Sequence, residues 1–330
     1  AEDALGDALL SALTTWPRDG VPDRPEAWLL TAARRNLLKV ARHQRVVEDP
    51  AVTILLPDDT TEAAGPPEIP DARLRLLFVC AHPAIDAPVR TPLMLQTVLG
   101  IDAARIARAC LVAPEAMTKR LVRAKVKIRT NGLRFEEPER RDLPQRLSAV
   151  LEAIYGAHAL DWNEAPAPGA ESLAGEALHL ARVVAALLPA EPEALGLVAL
   201  LELDASRAAA RVDRDGLLVP LHEQAVSDWD DRLIASADAH LRRAALGQRL
   251  GPFQLEAAIQ LAHASRKRTG ITPWTDIVHL YQGLLALHPT VGAQIGQALA
   301  VAQAHGDPLA GLARLESIDP GRRASLQAWW

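Results

Sequence analysis

Tyrosine and phenylalanine are scarce in this sequence, at two and three residues, and aromatic residues of all kinds make up only 4% of it. Runs of β-branched residues are scarce too, so the side chains that fill pleated sheets are missing. Alanine, leucine and arginine dominate instead, and the expected fold class is all-α. Two cysteines, Cys80 and Cys110, are too few for a disulfide framework. Cys80 and His82 stand two apart with no second ligand pair nearby, so Cys80 reads as a structural residue and no metal or cofactor is expected. No stretch is long and apolar enough to span a membrane and there is no secretory leader, which points to the cytoplasm. Phosphate-binding loops, the G-x-G-x-x-G fingerprint and the H-E-x-x-H pair are all absent, and no nucleophile has a base at recognisable spacing, so the chain is not expected to be an enzyme. The net charge is −5, which means that binding to nucleic acid would have to rest on local basic patches.

One such patch is conspicuous. The stretch from Asp102 to Arg129, DAARIARACLVAPEAMTKRLVRAKVKIR, reads as two helices joined by a tight turn. Asp102 can cap the first helix, Ile106 shares an apolar face with Ala103 and Ala107, and Cys110, Leu111 and Val112 supply the turn. Pro114 restarts the chain as a helix, since proline at the first helical position gives up only a donor that has no partner there. In the second helix Met117, Leu121, Ala124 and Ile128 recur at helical spacing and face inward. The remaining face holds Lys119, Arg120, Arg123, Lys125, Lys127 and Arg129, with no acid after Glu115. A basic amphipathic helix is ordinarily a solvated face. The missing acids and the short alanine-rich partner helix favour a helix-turn-helix whose second helix enters a DNA major groove.

Taken in order, residues 1–13 form an amphipathic segment with Asp3 and Asp7 on the polar side and Leu5, Leu9 and Leu13 on the apolar side. Glu26 to Arg45 is a second basic helix: Trp28, Leu29, Ala32, Leu37 and Val40 line one side, and Arg34, Arg35, Lys39, Arg42 and Arg45 the other. Residues 46–70 are acidic, proline-rich and without helical period, as in a linker. Asp71 to Ala81 and Val89 to Leu99 then supply two helices that complete a four-helix unit with the helix-turn-helix.

AEDALGDALLSAL followed by WLLTAARRNLLKVAR resembles region 2 of an extracytoplasmic-function (ECF) sigma factor of the sigma-70 family, and LRLLFVCAHP with GIDAARIARACLVAPEAMTKRLVRAKVKIR resembles its region 4. The resemblance implies a region 2 at residues 1–45, an acidic linker at 46–70, a four-helix region 4 with its helix-turn-helix at 71–137 and a helical extension at 138–330. It implies core RNA polymerase and promoter DNA as partners. Glu2, Asp3, Leu5, Asp7 and Leu9 would dock on the polymerase clamp. Arg34, Arg35, Asn36, Lys39 and Arg42 would read and open the downstream promoter element, and Thr118, Lys119, Arg120, Arg123 and Lys125 would hold the upstream one. It also implies a further helix ahead of Ala1 and a further helix pair after Trp330.

The extension reads as successive amphipathic helices broken near Pro189, Gly216, Gly251-Pro252, Gly270 and Pro289. Trp274, Ile277 and Tyr281 have the W-x2-I-x3-Y spacing that opens a tetratricopeptide helix, and Gly306-Asp307 fits the turn of such a repeat. The segment RVDRDGLLVPLHEQAVSDWDDRLI resembles one found in the ECF subgroup with a tetratricopeptide-like extension, with Asp213 to Gly216 as a turn. Trp162, Trp229 and Trp274 are expected as core anchors, and His222-Glu223 with Asp228, Asp230 and Asp231 is the one dense polar cluster legible in the string. Three classes of function fit: a promoter-recognition subunit, a helix-turn-helix transcriptional regulator with a helical effector domain, and an interaction scaffold. The acidic docking helix and second basic helix favour the first, with the extension as a docking surface for a regulatory protein.

Overall fold

The computed structural model describes residues 69–130, 138–162 and 172–318. Among them there is no β-strand, only an isolated antiparallel bridge between Val212 and Leu218. The expected segments that bear Glu2 to Leu9 and Arg34 to Arg42 lie outside the described residues.

Four helices form the first unit: α1 (Ala72–Cys80), α2 (Ala87–Thr97), α3 (Ala103–Ala109) and α4 (Pro114–Thr130). Asp71 caps α1 by accepting from the backbone N–H of Arg73 and Leu74 at 2.8 and 3.0 Å. Leu74, Leu77, Phe78 and Cys80 of α1 are fully buried against Leu93 and Met94 of α2, Ile106 of α3, and Met117 and Leu121 of α4. Cys80 lies 3.9 Å from the Thr97 hydroxyl, and burial pushes its thiol up to about 12, which keeps it neutral. His82 instead accepts from the backbone N–H of Ala84 at 3.1 Å, closing the turn after α1.

The chain continues as α5 (Leu143–Trp162), α6 (Leu173–Leu187), α7 (Pro192–Ser206), α8 (Asp231–Ala245), α9 (Pro252–Ala264), the single turn α10 (Arg266–Thr269), α11 (Trp274–Leu287), α12 (Val291–His305) and α13 (Pro308–Glu316). Most of the long helices pack chiefly on their neighbours along the chain, as short connections between amphipathic helices require, while α9 lies chiefly on α7 and α2 on α5. Helix α7, PEALGLVALLELDAS, has apolar residues on every face and is accordingly buried on every side, with Glu193, Glu202 and Asp204 as its acids. A Cβ at Gly196 would fall 2.8 Å from the Gln254 backbone nitrogen, so α7 and α9 approach as they do because that side chain is missing. The carboxylate of Glu193 then accepts from the Phe253 and Gln254 N–H groups at 3.0 and 3.1 Å, which satisfies the first turn of α9.

One hydrophobic core runs without a break from Ile69 to Ala264, so the first unit and the extension share it. Polar contacts fasten the same junction. Buried Arg146 donates to the Phe78 carbonyl near the end of α1 at 3.1 Å, and Arg73 pairs with Glu176 of α6 at 3.2 Å. Leu255, Ile259, Ile277 and Leu284 belong to a second cluster under α11 and α12.

The segment between α7 and α8 is irregular but tied down. The Asp213 N–H donates to the Leu217 carbonyl across a tight turn at 2.9 Å, and Arg266 donates to the carbonyls of Leu221, His222 and Gln224. Trp229 is 2% exposed, whereas Trp162 and Trp274 are only half-buried, which corrects the expectation of three core anchors. Both partly open rings have polar neighbours: Trp162 stacks on His158 at 5.4 Å, and Trp274 meets the His263 ring edge-on at 5.2 Å. Tyr281, one turn beyond Ile277 on α11, lies where a side chain at Gly296 of α12 would stand.

Candidate nucleic-acid interface

Helix α3 begins at its cap, where Asp102 accepts from the Arg105 N–H at 2.9 Å, and ends at Cys110. The turn that follows closes with two backbone bonds, Leu111 N–H to Arg108 at 3.1 Å and Val112 N–H to Ala107 at 3.0 Å. These are the paired bonds of a Schellman stop, and they require the intervening residue to be left-handed. That residue is Leu111, with φ of 55°, where glycine would be the unstrained choice. A left-handed leucine costs about 1 kcal/mol. Its side chain offsets part of this by packing on Val291, Ile295 and Ile318, so the turn ahead of α4 touches the far end of the extension.

The seventeen residues of α4, PEAMTKRLVRAKVKIRT, include six basic residues against Glu115 alone. Met117, Leu121 and Ile128 are 1%, 2% and 5% exposed, and successive residues turn about 100° around the axis, so the opposite side centres on Lys119, Val122, Arg123 and Val126. Arg120 lies on one flank of that face, Thr118 and half-buried Lys125 on the other. The structure therefore brings Lys119, Arg120 and Arg123 together in solvent and sets Thr118 and Lys125 apart from Arg120. The Thr118 hydroxyl donates back to the Pro114 carbonyl at 2.9 Å, and Arg123 Nε to the Lys119 carbonyl at 3.3 Å. Lys127 is neutralised by Asp86 at 3.1 Å, whereas Lys119 and Arg120 form no ion pair with a described residue. The surface so made is convex, cationic and narrow, suited to a polyanion's groove and not to enclosing a small molecule.

A second polar constellation lies inside the extension, and sequence reading missed it. His158 Nε2 is 3.1 Å from Asp204, which also accepts from Arg207 Nη2 at 2.5 Å; the His158 and Asp204 side chains are 3% and 12% exposed. The neighbouring Glu202 accepts from Arg182 at 2.7 Å and faces His240 at 3.2 Å. The legible signal was Glu202 and Asp204 in the second half of a largely apolar helix, acids that must find partners when buried. His158, Glu202 and Asp204 lie in a packed core with Arg182 half-exposed at its edge, and the buried Ser206 hydroxyl is committed to the Leu203 carbonyl at 2.6 Å. The cluster fastens α5, α6 and α8 to α7. The polar run expected at His222-Glu223 is instead on the surface, with side chains 73% and 62% exposed.

Glu256 on α9 adds a pH dependence to this interior. Burial, reinforced by the charges of Asp204 and Glu193 against the hydrogen bond with Tyr155, pushes its carboxyl up to about 7. A carboxyl raised on folding contributes its stability below the ordinary carboxylate range and loses it as pH rises through 7. Glu256→Gln should therefore stabilise the protein by about 1–2 kcal/mol at pH 8.5 and leave it unchanged at pH 4. Thermal unfolding at the two pH values checks this.

The described residues define an all-helical protein in which a short helix, a tight turn and a basic helix are fused to an array of packed helices. The chain belongs to the same family as uncharacterized protein R00370 of Rhizobium meliloti (strain 1021), with 38% identity over 337 residues that cover 98% of this chain and 78% of that protein. Residues 146–245, from α5 through α8, match a family of unknown function, DUF6596. This span contains the whole His158–Asp204 and Glu202–His240 network. No solved structure matches. No helix among the described residues is long and apolar enough to cross a membrane.

Proposed function

We propose that this protein is a promoter-recognition subunit of RNA polymerase, an ECF sigma factor with a tetratricopeptide-like helical extension. The observation that carries the reading is the solvent-facing side of α4. Lys119, Arg120 and Arg123 stand together on a helix with one acid, presented by a closed turn and backed by a rigid core. Such a helix fits the major groove, with guanidinium groups for guanine edges and ammonium groups for phosphates. Residues 1–45 supply the second half of the reading by resemblance: Arg34, Arg35, Asn36, Lys39 and Arg42 would act at the downstream promoter element, and Glu2 to Leu9 on core polymerase. The extension, an array of paired helices, would dock a regulatory protein.

A helix-turn-helix regulator is the second reading, favoured by the fact that α3, the closed turn and α4 are complete among the described residues. Run-off transcription with purified core RNA polymerase separates the two. Promoter-specific initiation that depends on added protein supports the sigma factor. Salt-sensitive promoter binding with no gain in initiation supports the regulator.

A further inference from the structure

Two apolar residues at the centre of the cationic face lie outside the hydrophobic core. Val122 and Val126 are 55% and 51% exposed, while the inward apolar residues of α4, Met117, Leu121 and Ile128, are almost fully buried. They stand four apart, so their methyl groups form one small apolar ridge along the helix. Valine is a weaker helix former than the lysine, glutamate or glutamine that a merely solvated face would carry. By helical spacing the ridge is flanked by Thr118, Lys119, Arg123, Lys125 and Thr130. A protein groove that covered two valines would have to supply a matching set of acids for those charges, whereas duplex DNA offers phosphates along its whole length and one apolar feature at the floor of its major groove, the C5 methyl of thymine.

We infer that Val122 and Val126 are specificity-determining residues that contact thymine methyl groups, with Lys119, Arg120 and Arg123 engaging phosphates and guanine edges on either side. This rests on the reading of α4 as the helix that enters the major groove. Valine is short, so its methyls reach a base edge only from the part of a helix that penetrates deepest. Val122 and Val126 hold that place, across the helix axis from the buried Met117–Leu121–Ile128 stripe. The bound sequence should therefore carry thymines next to the guanines read by arginine.

The test uses the full chain assembled with core RNA polymerase. Duplexes are selected from a random pool, and each thymine of the selected site is replaced in turn by uracil, which removes the methyl and nothing else. Binding is followed by fluorescence anisotropy at fixed salt for the wild type, Val122→Ala and Val126→Ala, with circular dichroism to check the fold. Uracil at one or two positions should weaken wild-type binding about threefold to tenfold. The alanine variant that loses the matching contact should show the same weakening on thymine DNA and no further loss on uracil DNA. Wild-type binding that ignores every methyl, or variants as sensitive to uracil as the wild type, overturns the inference while leaving α4 as the DNA-binding helix. Val122→Ala or Val126→Ala that frees the chain from polymerase without altering its affinity for DNA would make the ridge a protein contact and overturn it too. Absence of any salt-sensitive duplex binding overturns the reading of α4 and this inference with it.

Discussion

Replacement of Arg120 and Arg123 together by alanine should weaken promoter binding by roughly 30-fold to 10,000-fold with no loss of stability. A base-reading arginine is worth about 1–3 kcal/mol, and each 1.4 kcal/mol is a factor of ten. Neither side chain packs in the core, and alanine is the better helix former, so the melting temperature should hold or rise. Arg123 commits its Nε to the Lys119 carbonyl at 3.3 Å, which fixes the guanidinium plane in advance and makes its loss the costlier of the two. Lys127→Ala is the internal control. Its ammonium already faces Asp86 at 3.1 Å, so its removal should change affinity little. Anisotropy titrations over a range of salt decide between roles: a phosphate contact lowers the salt slope by about one, and a base contact relaxes sequence preference instead. Transcription by the double variant at the wild-type level from the native promoter would remove α4 from DNA recognition.

How much of this was legible depended on whether the deciding interaction was local. The Asp102 cap, the break at Cys110 to Val112 and the restart at Pro114 fall where the sequence places them, because each depends on residues within one helical turn. The inward positions Met117, Leu121 and Ile128 follow from period alone. Period says which face is buried but not what covers it. Leu111 meets Val291 and Ile295, far along the chain, and a left-handed leucine carries no sequence signal because glycine is what that conformation selects. Tryptophan burial failed for a related reason. Trp162 and Trp274 lie beside histidines, and Arg211 stands 4.2 Å over the Trp162 ring, so polar groups occupy space that an anchor in a wholly apolar site would not share. In α7 the acids Glu202 and Asp204 announce a demand for partners. His158, Arg182 and His240 answer it from other helices, and only the packed structure shows which.

Asp204→Ala should destabilise the whole chain by about 3–5 kcal/mol, because it strips the partner from two buried groups at once. Asp204 accepts from His158 at 3.1 Å and from Arg207 at 2.5 Å, and those two side chains are 3% and 11% exposed. Burial by itself would raise the Asp204 carboxyl, but the hydrogen bond from His158 and the charge of Arg207 outweigh it and hold the group below the usual carboxylate range. A carboxyl depressed on folding contributes stability above its unfolded pKa and loses it as pH falls through the folded value. The gap between wild type and variant should therefore be widest at neutral pH and narrow in acid, below the ordinary aspartate range. Asp204→Asn, which keeps an acceptor oxygen but no charge, should fall between the two. Since the core is continuous from Ile69 to Ala264, the loss should reach α4 as well, and DNA binding should disappear with the same denaturation midpoint as helicity. Urea titrations at pH 7 and at about pH 2, read by circular dichroism and by anisotropy of bound promoter DNA at pH 7, measure all of this. A destabilisation under 1 kcal/mol at pH 7 would show that the Asp204 pairs do not hold α7 in place, and DNA binding that outlasts the loss of helicity would show that the first unit does not unfold with the extension.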